Sequence, residues 1–244
     1  MAFWGDYHTH TEYSHGKGTV EDNVQAGIAR GLKAVAITDH GITGYPHNLH
    51  PAYFEDFLAD VESVRLAHPE INLLSGIEAN LISGKGDLDL TEVEQEKLDF
   101  IICGFHQVRI PDKADFFFDF WLPNFLPIKN RRSRIMKNTD AYVNAVQRYR
   151  VGVIAHPLRS IGCDLRVIGE LAKEYGVYVE LNSKKCQLSP QDFETLGKTG
   201  CEFIVNSDAH EPERVGDFSA VELFDQAGLD RKLIANWNRF PTFR

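Results

Sequence analysis

The stretch Ala34-Val35-Ala36-Ile37-Thr38, closed by Asp39-His40, decides the fold. It is a short apolar run with no polar alternation, too brief for a helix, and it ends on two polar residues. Such runs suit strands of a parallel sheet buried on both faces. Six other segments share the form, at residues 3–8, 72–77, 99–103, 152–155, 177–181 and 203–206. Amphipathic stretches lie between them. Thr19-Val20-Glu21-Asp22 reads as a capping box that opens a helix, and Gly31 as its stop. Residues 51–68 carry Tyr53, Phe54, Phe57, Leu58, Val61, Val64 and Leu66 at helical spacing, up to Pro69. Residues 139–150, 165–175 and 190–199 also read as helices. Strand–helix alternation over residues 1–244 predicts one α/β domain.

The polar residues at the strand ends favour a barrel over an open sheet. His8-Thr9-His10 and then His15 come after the first strand, Asp39-His40 after the second, and Glu78 after the third. His106 comes after the fourth, His156 after the fifth, Asn182 at the sixth, and Asp208-Ala209-His210 after the seventh. In a parallel barrel all these strand ends share one face, where active sites form. Imidazoles and carboxylates without thiolates suit Zn, Mn or Fe in hydrolytic work. A lone H-x-H is weak, although its period of two would place both rings on one face. The joint pattern carries the argument, because nine candidates fall at the same end of successive strands.

Composition sets limits. The chain has 244 residues, with 26 Lys and Arg against 35 Asp and Glu, a formal charge of −9 that argues against a nucleic-acid-coating protein. The four cysteines form no C-x-x-C pair and read as reduced thiols, giving a cytoplasmic expectation. No signal peptide and no run long enough to span a membrane is visible. Residues 107–138 break the rhythm. They hold the aromatic run 116–121 and then a run from Lys129 to Lys137 with five positive and no negative charges. A long insertion of this kind is expected to be a lid, a homo-oligomer contact or a nucleic-acid contact.

The motifs Asp6-Tyr7-His8-Thr9-His10-Thr11, Ile37-Thr38-Asp39-His40-Gly41, Gly76-Ile77-Glu78-Ala79-Asn80, Gly104-Phe105-His106, Ala155-His156-Pro157, Glu180-Leu181-Asn182 and Asn206-Ser207-Asp208-Ala209-His210 occur in that order. On them the chain resembles the PHP (polymerase and histidinol phosphatase) family, over almost its whole length. The resemblance implies a distorted (β/α)7 barrel with a trinuclear centre of divalent ions. Carried over, His8, His10, Glu78 and Asp208 would hold one metal. Glu78 would bridge to a second, also held by His106 and His156. His15, His40 and His210 would hold the third. Ser14-His15-Gly16 differs from the Ser-Asp-Gly context frequent in polymerase-type relatives and favours the stand-alone phosphoesterases.

The expected reaction is hydrolysis of small phosphate esters, histidinol phosphate among them, by a metal-activated hydroxide. Glu78, Asp208 and His210 are the expected catalytic group. Asp39 is either a proton acceptor or histidine-orienting carboxylate, or a strand-end hydrogen-bonding residue. Arg159 and Lys184 are best placed to meet phosphate, ahead of Lys17, Lys185 and Arg214. His47 and His50 either line the pocket mouth or have no role, and His68 is given none. A nuclease acting on DNA or RNA ends is the alternative activity. An inactive metal-binding scaffold is the alternative outside enzymes, though its signature, missing ligands, is not seen.

Overall fold

Seven strands pair in sequence order, each parallel to the next. They are β1 (Gly5–Thr9), β2 (Ala34–His40), β3 (Asn72–Asn80), β4 (Phe100–Gly104), β5 (Val151–Ile154), β6 (Tyr178–Asn182) and β7 (Phe203–Asn206). This computed structural model describes residues 2–43, 47–107, 114–126 and 131–244. The ring closes where Thr9 bridges Ala209, through His10 N–H donating to the Ala209 carbonyl at 2.8 Å and Ala209 N–H to that of His8 at 3.3 Å. Lower down, the Asn236 side chain fills the seam. Its Nδ2 donates to the carbonyls of Gly5 and Val205, and its Oδ1 accepts from Val205 N–H. This is the (β/α)7 barrel expected from the sequence.

The helices are α1 (Val20–Ala29), α2 (Phe54–Ala67), α3 (Glu92–Glu96), α4 (Leu122–Phe125), α5 (Arg132–Arg148), α6 (Leu165–Tyr175), α7 (Pro190–Thr199) and α8 (Val221–Gln226). Thr19 caps α1 in a capping box with Asp22, and Gly31 follows it with φ +73°, as the sequence predicts. Two hydrophobic layers result. Helices pack on the outside of the sheet, while Tyr7, Ala34, Ala36, Phe100, Ile102, Val153, Tyr178 and Ile204 fill the interior. Phe243 plugs the barrel floor, stacked on Phe100 at 4.0 Å. With the floor filled, the strand ends at the C-terminal mouth face a cavity.

The predicted insertion is partly helical. Phe116–Trp121 forms a π-helical turn that runs into α4, and α5 begins at Arg132 rather than at 139. Phe120 is buried edge-on against Phe105, 5.4 Å between ring centres, which ties the segment to the residue after β4. Residues 108–113 and 127–130 of this stretch lie outside the described residues. No helix among the described residues is long and apolar enough to cross a membrane.

Candidate metal centre

Glu78 stands at the centre of the barrel mouth. Along β2 the residues Ala34, Ala36, Thr38 and His40 alternate onto one face. The register pairs His40 with Glu78, and His40 Nδ1 lies 2.8 Å from Glu78 Oε2. His8 Nε2 and His10 Nε2 reach the same oxygen at 3.2 and 3.5 Å. The ladder between β1 and β2 slips between Asp6 and Thr9. That slip lets Tyr7 enter the interior core while the next residue, His8, also faces inward. On the other side, Oε1 of Glu78 meets His156 Nε2 at 2.8 Å and His106 Nε2 at 3.4 Å. Across the seam, Asp208 Oδ1 lies 3.4 Å from His10 Nε2 and 3.3 Å from His210 Nδ1. The His15 ring stacks on His40 at 4.7 Å and faces His210 at 4.3 Å. All nine predicted ligands are thus brought together.

The donor set fits metal ions. Buried nitrogen and oxygen atoms normally find hydrogen-bond partners, yet His8 Nε2, both ring nitrogens of His10, and Glu78 Oε2 have none. Three groups present ligand atoms close enough to share an ion: His8, His10 and Glu78; His40, Glu78 and His106; His10, His40 and His210. Electrostatics point the same way. Burial would raise the Glu78 carboxyl, but His106, His8 and His40 hold it well below the usual range. Burial keeps His10 and His106 well below the usual imidazole range, with His40 adding to the effect. It likewise brings His15 to about 3 and His210 to about 4. Neutral rings and an ionised carboxylate are the protonation states that ligate metals. His8 differs, since burial would lower it but Glu180, Glu78 and Asp208 hold it well above the usual imidazole range, so an ion at its Nε2 would displace a proton.

Other side chains orient this set. Asn80 Oδ1 holds His106 Nδ1 at 2.6 Å, and Asp89 holds Asn80 through its N–H and Nδ2 at 2.7 and 2.8 Å. Asn182 Nδ2 donates to Asp208 Oδ2 at 3.1 Å. Glu180 has no role assigned from sequence, yet it is buried and accepts from His8 Nδ1 at 2.6 Å. The signal for it is a charged residue inside an otherwise apolar strand. Asp39 is buried and engaged by the loop after β1. Its oxygens are occupied by Thr11 N–H (2.8 Å), Thr11 Oγ1 (2.5 Å) and Ser14 Oγ, so it orders the loop that carries His10 and His15. His156 and Asp208 have φ of +27° and +52°, backbone states uncommon for residues with a side chain and often found at functional sites.

Above the cluster lies a cavity of about 300 Å³ whose lining includes His15, His40, His47, Asn48, Arg159, Lys184 and His210. Arg159 Nη1 donates to Asp208 Oδ2 at 3.2 Å, and Lys184 Nζ lies 2.9 Å from His210 Nδ1. Burial pulls the Lys184 ammonium below its ordinary range, although Asp208 opposes this. His47 is at the rim, 5.2 Å from the His15 ring. Of the two alternatives read for these histidines, a place at the mouth or none, His50 lies outside this lining. Its Nδ1 accepts from Ala52 N–H at 3.2 Å and caps the turn before α2. Lys17 and Arg214 pair with Glu211 and Asp217 on the surface. His68 links Glu21 of α1 to Glu70.

The model of the PHP domain matches residues 6–184. The chain belongs to the PHP domain family. A protein of Caldanaerobacter subterraneus subsp. tengcongensis named "Probable phosphatase" is 30% identical over 242 residues, 95% of this chain and 86% of that one. Another of that name from Clostridium botulinum is 30% identical over 246 residues, covering 97% and 91%. In fold, the PHP barrel is similar to histidinol phosphate phosphatase from Lactococcus lactis, solved with zinc, L-histidinol and phosphate. The TM-score is 0.60 at 17% identity, covering 94% of this chain and 95% of that one. The PHP chain is an enzyme of the phosphatase and phosphoesterase class.

Proposed function

We propose that this PHP enzyme hydrolyses small phosphomonoesters at a centre of three divalent cations, Zn, Mn or Fe. His8, His10, Glu78 and Asp208 hold the first. Glu78, His106 and His156 hold the second, and His15, His40 and His210 the third. The carrying observation is Glu78, a buried carboxylate with imidazoles on both oxygens and no hydrogen-bond partner for Oε2. Divalent ions there would supply Lewis acidity and a nucleophilic hydroxide near neutral pH.

The chain's own residues bind and orient the ester. Arg159 offers a planar fork suited to two phosphoryl oxygens, and Lys184 a compact charge beside His210. Both rest on Asp208. An arriving phosphate dianion is a stronger acceptor for them than a carboxylate they already share with Asn182. His47 and Asn48 face the organic body at the rim. Histidinol phosphate belongs to this class, and the complex of the Lactococcus lactis fold relative motivates its inclusion. Free thiols at all four cysteines suit a reducing, cytoplasmic setting.

The test is metal content after purification, followed by turnover of a phosphomonoester panel that includes histidinol phosphate, against end-labelled oligonucleotides. We expect bound transition metal and turnover of monoesters well above that of oligonucleotides. A protein that neither carries nor takes up such ions fails the proposal. One that cleaves only oligonucleotides supports the nuclease instead.

A further inference from the structure

We propose that Glu180 is the positioning residue that fixes the proton of His8 on Nδ1 and so aims the Nε2 lone pair into the centre; this rests on the metal-centre reading above. The buried Glu180 carboxylate accepts four hydrogen bonds, two on each oxygen. Oε1 takes His8 Nδ1 at 2.6 Å and Asn206 Nδ2 at 3.1 Å. Oε2 takes His156 N–H at 2.9 Å and Asn182 Nδ2 at 3.1 Å. One side chain on β6 therefore ties down a ring on β1, a residue of unusual φ after β5, and the asparagine that holds Asp208 after β7.

The chemistry is set by what each partner can do. An ionised carboxylate only accepts. His8 must then keep a proton on Nδ1, and Nε2, 3.2 Å from Glu78 Oε2 with no hydrogen-bond partner, is the nitrogen turned toward the centre for a metal to take. The other three donors cannot reverse. His156 offers a backbone N–H. The Oδ1 of Asn206 is engaged by Tyr7 N–H at 3.1 Å, and that of Asn182 by Lys185 N–H at 3.0 Å. With glutamine at 180, the amide nitrogen has to face one oxygen's pair of donors. The imidazole is the one partner able to change, by accepting at Nδ1 and moving its proton to Nε2. That proton would occupy the position a metal needs. Partners of this kind typically change metal affinity by about 10–100-fold.

The test uses the full chain. In metal-free wild type, the proton–nitrogen spectrum of the histidine side chains should show a hydrogen-bonded His8 Nδ1–H, identified by its loss in His8→Gln. In Glu180→Gln that signal should vanish and an Nε2–H signal should replace it, with the thermal unfolding transition still cooperative. Zinc titration followed by calorimetry should show one ion bound 10- to 100-fold more weakly than in wild type, and the others unchanged. A Glu180→Gln protein that keeps the Nδ1–H signal and wild-type zinc affinity overturns the proposal. If that variant does not fold, the wild-type spectrum decides, since an unprotonated His8 Nδ1 overturns it equally. Wild type that takes no zinc but shows the Nδ1–H signal would sink the metal-centre reading alone.

Discussion

Arg159 Nη1 donates to Asp208 Oδ2 at 3.2 Å, spanning the barrel mouth from the loop after β5 to the loop after β7. Asp208 keeps Asn182 as a second donor on the same oxygen, so removing Arg159 leaves that carboxylate in place. Arg159→Ala should therefore retain bound metal while kcat/KM for phosphomonoesters falls about 10- to 100-fold, the size of a lost hydrogen bond to a charged group. Arg159→Lys should recover only part, because an ammonium cannot fork. Steady-state kinetics beside metal analysis checks both. Metal lost in parallel with activity would place Arg159 in the metal-holding scaffold instead.

Glu78→Gln should remove both metal and turnover. An amide offers one neutral oxygen where five imidazoles now surround two charged ones. Metal content below a tenth of wild type and no measurable hydrolysis are the expected results. Full metal with full turnover would show that the bridging carboxylate lies elsewhere.

Gly41→Ala should reach the centre from outside it. A Cβ at this position would lie 2.2 Å from Asp89 Oδ1. Asp89 would have to move, releasing Asn80 and through it the Nδ1 hydrogen bond of His106. Overpacking of this sort costs about 1–3 kcal/mol. A lowered denaturant midpoint together with weaker metal binding is expected, and an unchanged midpoint would contradict the contact.

Alkali should destabilise the fold through its thiols. Burial pushes the Cys163 thiol up to about 12 and raises Cys103 and Cys201 as well. The unfolded chain loses these protons near pH ~8.5. Their contribution is thus complete below that pH and is lost as pH climbs toward the folded values. The urea midpoint should fall between pH 7.5 and pH 10, and by less in Cys163→Ala. At pH 8 a thiol reagent should react fast with the half-buried Cys186 and slowly with the other three.

The barrel was legible because each strand is a short apolar run closing on polar residues, but those residues also hid where strands end. The sequence places Asp39-His40 and Glu78 after their strands. The structure keeps them within the ladder, β2 running to His40 and β3 to Asn80. Buried histidines and a carboxylate look like loop chemistry until a partner for them is known. The early start of α5 was hidden for the opposite reason. Arg132, Ser133 and Arg134 are polar and mostly exposed, so its first turn shows no apolar period. Helix α3 carries a readable start signal, the capping box of Thr91 with Glu94, but it is too short to show any period behind that cap. Strand position was enough to bring Arg159 and Lys184 to the mouth. It could not separate His47, which stands beside His15 at the mouth, from His50, which caps the turn before α2.

The seam between β1 and β7 makes the opposite thirds of the chain depend on one another. His8 and His10 come from the first strand, and Asp208 and His210 from the residues just after the last. During synthesis the early histidines therefore wait, half-equipped, until the seventh strand arrives and the ring shuts. An ion captured across that junction would act as a clasp, so loss of metal should loosen the two flanking strands before any others.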